Sequence, residues 1–268
     1  MTVDLPVTVG VDGSEAGLAA ADWAAREALL RDRPLRVLHA LPLMPHLLPA
    51  GTGAARPGGD LLHEVEHVLA MRHPGLRMRT EQAHDTAAPA LLAAGEDADL
   101  LVLGARGSGG FPDLRVGSTA LQLVTRTGCP TVVLPVEAPG AHPREFVAVG
   151  VDARRPAEAA LGFAFAAAHR YGLPLRAVHA GAARPVGPGG EAGLLAAALE
   201  PWKAARPEVE VLEDVERGGP AGVLVDVSAK ARLLVLGRRP VGAAVPLGPV
   251  VHAVLHHAAC PVAVVPGP

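Results

Sequence analysis

Aromatic side chains are scarce in this chain: only 3% of its 268 residues are Phe, Trp or Tyr. A core without rings must be aliphatic, and the abundance of Ala, Val, Leu and Gly suits buried parallel strands covered by Ala-rich helices. One-signed charge is lacking as well. The net charge is −3 with signs mixed throughout, so there is no basic stripe for nucleic acid and no basic amphipathic face for a membrane surface. The nearest candidates, Arg154-Arg155 and Arg238-Arg239, are isolated pairs. No run reaches the ~18 apolar residues of a membrane span. The opening MTVDLPVTVGVDGS lacks a cationic stretch followed by an apolar one and leads straight into a strand pattern. The expectation is a soluble, cytoplasmic protein. Catalytic signatures are missing too: there is no G-x-S-x-G elbow, no Walker lysine after a glycine loop and no C-x-x-C.

What the chain does contain is a repeat. Val7 to Leu41 aligns without gaps to Val147 to Gly181, beginning VTVGVDGS in one half and VAVGVDAR in the other. DLLVLGARG from Asp99 answers RLLVLGRRP from Arg232, and CPTVVLPV from Cys129 answers CPVAVVPG from Cys260. Three islands in the same order mean duplication. The two domains are residues 1–138 and 139–268, joined by the Pro- and Gly-rich stretch Glu137 to Pro143. Half of the residues are apolar, enough for each domain to bury its own core. The cysteines, Cys129 and Cys260, hold equivalent places in the repeat, which makes them structural positions in preference to a disulfide pair.

Within each half, short β-branched runs alternate with Ala/Leu-rich segments. The first half predicts strands at Val7–Val11, Leu35–Leu41, Leu76–Ala83, Leu100–Leu103 and Thr131–Val136. Its helices are predicted at Glu15–Arg31, Asp60–Arg72, Ala87–Glu96 and Ser118–Thr127. The strands read as continuous apolar runs, the mark of a sheet covered on both faces. The fold class is therefore α/β: two tandem doubly wound, five-stranded parallel-sheet domains. Such sheets bind ligands beyond the carboxyl ends of their strands.

That rule directs attention to the loops after VTVGV, VLHA and LLVLG. After the fourth strand come Gly104-Ala-Arg106-Gly107, nine residues, and then Gly117-Ser118-Thr119 opening a helix. Glycines let backbone approach a ligand, and a helix start offers unpaired N–H groups to an anion. Together they make a phosphate cradle. Taken alone, the glycines are equally compatible with a plain turn and Ser118 with a helix cap. After the first strand, Asp12 can accept from a ribose hydroxyl or hold Mg²⁺ through water, or else Asp12 or Ser14 caps the helix.

VGVDGS, VLHA, GARG-x9-GST and the terminal CPTVVLP together resemble the universal stress protein family. The G-x2-G-x9-G-(S/T) spacing is that family's ATP-binding signature, and the first half meets it in full. The resemblance spans essentially the whole chain, as a tandem two-domain member. It implies the adenine nucleotide alpha-hydrolase-like fold, with ATP or another adenine nucleotide between the first and fourth strands. It places Asp12 near ribose, phosphates or Mg²⁺, and Ala40 facing adenine. It places Gly104, Arg106, Gly107, Gly117, Ser118 and Thr119 around ribose and phosphates. The family's frequent Gly-x-Pro before the third helix is replaced by Asp85-Thr86-Ala87.

The second half departs further. VDGS becomes Val151-Asp152-Ala153-Arg154, GARG becomes Gly237-Arg238-Arg239-Pro240, and GST becomes Gly248-Pro249-Val250. Proline removes an N–H donor and valine a hydroxyl. The second domain is expected to bind no triphosphate, although its arginines retain charge for some anion.

One motif competes. His63-Glu64-Val65-Glu66-His67 matches H-E-x-x-H, with His73 where a third zinc ligand would stand. Ala70 occupies the position at which the extended motif turns on glycine, and the segment lies away from the crevice. A helix-surface pattern accounts for it better.

The expected function is that of an adenine-nucleotide-binding stress-response or regulatory protein, with ATP held by the first domain and hydrolysed slowly at most. The alternatives are a nucleotide-independent partner-binding protein and a slow nucleotide hydrolase. The short last strands suggest an internal pseudo-dimer, a possible homodimer and a regulatory protein partner.

Overall fold

A computed structural model describes residues 4–41, 58–108, 115–136, 144–181, 189–238 and 247–267. The predicted linker, Glu137 to Pro143, lies outside these residues, as do Arg239 and Pro240. The chain divides into two compact units, Met1–Val136 and Glu137–Pro268.

The first unit runs β1 (Val7–Gly10), α1 (Glu15–Arg31), β2 (Leu35–Ala40), α2 (Gly58–Arg72), β3 (Met78–Ala83), α3 (Ala87–Gly95), β4 (Leu100–Gly104), α4 (Ser118–Arg126) and β5 (Thr131–Leu134). Its strands lie in the order β3-β2-β1-β4-β5, every neighbouring pair parallel. The chain winds outward from β1 to β3, then restarts on the other side of β1 with β4. The topological switch point therefore falls between β1 and β4, the place at which such sheets bind ligands beyond the carboxyl ends of their strands.

The second unit repeats the plan with β6 (Phe146–Gly150), α5 (Glu158–Tyr171), β7 (Leu175–Gly181), α6 (Gly190–Ala205), β8 (Val211–Arg217), α7 (Pro220–Ser228), β9 (Ala231–Arg238), α8 (Pro249–His257) and β10 (Val262–Pro266). Its order is β10-β9-β6-β7-β8, again all parallel, with the switch point between β6 and β9.

Small side chains set the layer spacing. Ala20, Ala21, Ala24, Ala25 and Ala28 on α1 have no exposed surface, nor do Val7 and Val9 of β1 or Leu100 and Leu101 of β4. A Cβ on Gly104 would stand 2.9 Å from the backbone of Ala16, so α1 reaches the end of β4 only because that strand ends in glycine. Gly237 does the same in the second unit, where a Cβ would stand 2.4 Å from the Ala157 methyl. Burying a polar side chain in so apolar a layer requires partners. Arg36 of β2 has them: its guanidinium donates to Thr8 Oγ1 at 3.0 Å, to Asp97 Oδ1 at 2.9 Å and to the Ala94 carbonyl.

Two strands depart from the continuous apolar pattern. MRTEQA of β3 and VLEDVER of β8 carry acidic and basic side chains and only partly buried residues. Each is the edge strand of its sheet, with a neighbour on one side only, so less of it needs to be apolar.

Candidate functional site

The crevice of the first unit is built from two loops that meet. Gly13 turns the chain after β1 with φ +80°, a conformation that favours glycine. Ser14 then caps α1, its hydroxyl accepting from Gly17 N–H at 3.1 Å. The capping role thus belongs to Ser14. Asp12 is left to organise the loop: its Oδ1 accepts from Ser14 N–H at 3.0 Å and from the Ser14 hydroxyl at 2.6 Å. Its other oxygen, Oδ2, accepts from the backbone N–H of Ser108 at 2.6 Å. Ser108 belongs to the loop after β4, so the glycine loop already presents an amide to an anionic oxygen.

Gly107 makes that approach possible. A Cβ there would lie 2.4 Å from Asp12 Oδ2, too close for any other residue without displacing the carboxylate. Across the crevice, Gly117 N–H donates to the Ala105 carbonyl at 2.7 Å, fixing the start of α4 against the end of β4. Gly117 is the N-cap of α4 and supplies no side-chain cap. Ser118 is exposed and Thr119 half-buried in the first turn, so the Ser118 hydroxyl is not the helix cap. The first-turn amides of α4 have no partner within the helix and carry the positive end of its dipole.

Ala40 ends β2, and the ring of His39 beside it ties the ends of β1 and β2 together through Nδ1 and the Val11 carbonyl at 2.8 Å. Arg106 is half-buried between Gly104 and Gly107. The structure therefore gathers Asp12, Gly104, Gly107 and Gly117 at one switch point, with Ala40, Arg106, Ser118 and Thr119 on the adjoining strand ends and helix start. Much of the nine-residue segment between Gly107 and Gly117, residues 109–114, lies outside the described residues. Ser108 was not singled out from the sequence, because a backbone donor has no residue code.

The corresponding place in the second unit differs in shape and charge. A cavity of about 720 Å³ opens there, bounded by the ends of β6, β7 and β9 and the start of α8. Arg154, standing where the first unit has Ser14, donates to Glu191 Oε1 at 2.7 Å. Glu191 Oε2 in turn accepts from His179 Nε2 at 2.9 Å, the imidazole also lying 2.9 Å from the Val151 carbonyl through Nδ1. The hydrogen bond from Arg154 holds the Glu191 carboxyl below its usual range, against its own desolvation and with help from His179. Pro249 stands at the first position of α8, where no N–H is available.

The histidine motif on α2 does not assemble. His73 donates through Nε2 to Asp22 Oδ1 at 2.9 Å, while His63 and His67 are exposed on the helix surface. No group of three metal-ligating side chains comes together among the described residues. No helix among them is long and apolar enough to cross a membrane.

These features define a class: a tandem protein of two doubly wound parallel α/β domains, each with a crevice at its topological switch point. Within that class, the chain belongs to the universal stress protein family, whose family model matches residues 6–135 and again 145–266. A universal stress protein of Mycobacterium tuberculosis is 35% identical over 96% of each chain. One from Mycolicibacterium smegmatis is 33% identical over 86% of each. The crystal structure of a universal stress protein from Archaeoglobus fulgidus superposes with a TM-score of 0.73 over 98% of this chain and 99% of that one. At 17% identity, that likeness is one of fold.

Proposed function

We propose that the chain is a nucleotide-dependent stress protein that holds ATP in the crevice of its first unit. One observation carries this reading: the loop after β4 delivers the Ser108 amide to a carboxylate oxygen, past a glycine at which a Cβ would stand 2.4 Å from that oxygen. An amide already bonded to carboxylate is suited to a phosphate oxygen, and the α4 start adds further donors beside it.

The crevice residues fit that group. Gly104, Gly107 and Gly117 keep side chains out of the phosphate path, while Arg106, Ser118 and Thr119 contribute a charge and two hydroxyls. Ala40 leaves a small wall for the adenine at the end of β2. Asp12 accepts three hydrogen bonds, leaving room on its carboxylate for a water-bridged Mg²⁺ or a ribose hydroxyl. Both lysines of the chain, Lys203 and Lys230, belong to the second unit, so the first has no lysine to steady a transferring phosphoryl group. That favours retention of the nucleotide over its turnover. Occupancy would reorder the loops around Asp12 and Ser108 and so present a different surface to a regulatory protein or a second chain.

Equilibrium binding of labelled ATP to the intact chain and to Gly117→Val tests the proposal. A Cβ at Gly117 meets only the Ala105 carbonyl, at 3.5 Å, so the variant can fold while its bulk covers the helix start. Saturable binding to the parent, weakened at least about tenfold in the variant, is expected. A parent that binds no nucleotide would instead make this a nucleotide-independent, partner-binding protein.

A further inference from the structure

We infer that the crevice of the second unit is a nucleoside site, which takes a base and its ribose but no phosphate. This rests on the proposed ATP site of the first unit, because that site says which end of the crevice meets the base and which the phosphates.

Duplication allows the two crevices to be compared position by position. The end formed by the first two strands of each unit is retained. Asp152 stands for Asp12, His179 for His39 and Ala180 for Ala40. The same tie joins those strand ends: Nδ1 of His39 lies 2.8 Å from the Val11 carbonyl, and Nδ1 of His179 lies 2.9 Å from the Val151 carbonyl. Asp152 and Ala180 both border the cavity of about 720 Å³, a volume within the range of small-molecule sites. Val178, Leu224, Leu236 and Val251 line it as well, and all four are buried aliphatic residues. Hydrocarbon walls suit the faces of an uncharged heterocycle, which gains by leaving water. Asp152 is exposed, and its Oδ1 accepts from Arg154 N–H at 3.2 Å. A carboxylate has about four lone-pair sites, so a ribose hydroxyl can donate to it too.

The phosphate end is dismantled. Pro240 replaces Gly107, Pro249 replaces Ser118 and Val250 replaces Thr119. In the first unit Gly107 lets backbone approach an anionic oxygen, whereas proline brings a ring and no N–H. Pro249 takes an amide from the first turn of α8, and Val250 takes a hydroxyl. The arginines at the rim are already engaged. Arg154 donates to Glu191 at 2.7 Å, and Glu191 is also bonded to His179 Nε2 at 2.9 Å. Arg155 and Arg238 have partners of their own. A phosphate entering here must break such contacts or go without donors. A nucleoside carries no formal charge and meets neither cost.

The test is equilibrium dialysis of labelled adenosine against the full chain, with saturating Mg-ATP present to occupy the first unit. One adenosine per chain is expected. AMP, measured in the same way, should bind at least about tenfold more weakly. Asp152→Asn should weaken adenosine about tenfold and leave 2′,3′-dideoxyadenosine, which lacks both ribose hydroxyls, nearly unchanged. Ala180→Leu adds bulk at the base end and should weaken both nucleosides by about tenfold or more. Unchanged melting temperatures would establish that the two variants fold.

ATP titration of the parent and of Gly117→Val reads the first unit separately. Should that unit bind no nucleotide, adenosine binding that both Asp152→Asn and Ala180→Leu weaken still supports the second site. The inference is overturned if no saturable adenosine site remains beside Mg-ATP, if AMP binds as tightly as adenosine, or if neither variant alters adenosine binding.

Discussion

The Oδ2 atom of Asp12 accepts the backbone N–H of Ser108 at 2.6 Å, joining positions 96 residues apart. This bond links the loops after β1 and β4, which flank the switch point, and Gly107 is the position that permits it. Gly107→Ala puts a methyl 2.4 Å from that oxygen, so the carboxylate must swing away and the bond is lost. Because Gly107 is exposed, global stability should change by no more than about 0.5 kcal/mol. ATP affinity should fall about tenfold. Calorimetric titration alongside a thermal melt reads both quantities; an unchanged affinity would remove the glycine loop from the site.

Gly104 and Gly117 belong to the same motif but answer to different constraints. A Cβ on Gly104 meets the carbonyl carbon and oxygen of Ala16 at 2.9 Å, and backbone inside a packed helix cannot rotate aside. A Cβ on Gly117 finds only the Ala105 oxygen at 3.5 Å, an ordinary contact. Gly104→Ala should therefore cost about 1–3 kcal/mol, and Gly117→Ala less than about 0.5 kcal/mol. Urea unfolding of the two variants compares them directly, and equal midpoints would mean that α1 can shift to make room.

The contrast marks how far the sequence could be read. Duplication, the parallel α/β plan and the span Glu15–Arg31 of α1 are legible because the repeat and the Ala-rich helical pattern are local signals. The glycines of GARG-x9-GST are legible as a pattern, but not their separate duties: helix packing for Gly104 and approach to a carboxylate for Gly107 depend on residues brought together only by folding. The Ser108 amide has no residue code at all. Edge strands β3 and β8 escaped the apolar expectation because strand order is not written in any one strand. In the second unit, losses from the nucleotide motif were visible, while the cavity remaining behind them was not: Glu191, which steadies its rim, comes from a helix with no resemblance to the glycine motif.

The two cysteines make a further case. Both are free and buried, and burial pushes the Cys260 thiol up to about 12. Burial raises Cys129 as well, opposed by its hydrogen bond with Thr127. Nucleophilic attack requires thiolate, so neither residue should react with a disulfide reagent at pH 8 while the chain is folded. Both should react in denaturant. Rapid modification of either one in the native protein would show that its strand opens readily.

Asp22 ties α1 to the end of α2, and its protonation gives the fold a predictable response to acid. Its Oδ1 accepts from His73 Nε2 at 2.9 Å, and Arg26 and Arg72 lie within ion-pair reach. Desolvation pushes the carboxyl up, but the His73 hydrogen bond and the charges of Arg26, His73 and Arg72 together bring it below its ordinary value. A carboxyl depressed in the folded state stabilises that state fully above its unfolded pKa and loses the contribution as pH falls through the folded one. Asp22→Asn should therefore be less stable than the parent at pH 7, by about 1 kcal/mol for a partly exposed network. The gap should narrow from about pH 4 downward, where the parent carboxylate begins to take up its proton. Denaturant unfolding of both proteins across that range supplies the measurement, and a difference that is constant with pH would assign the loss to packing of the side chain and not to its charge.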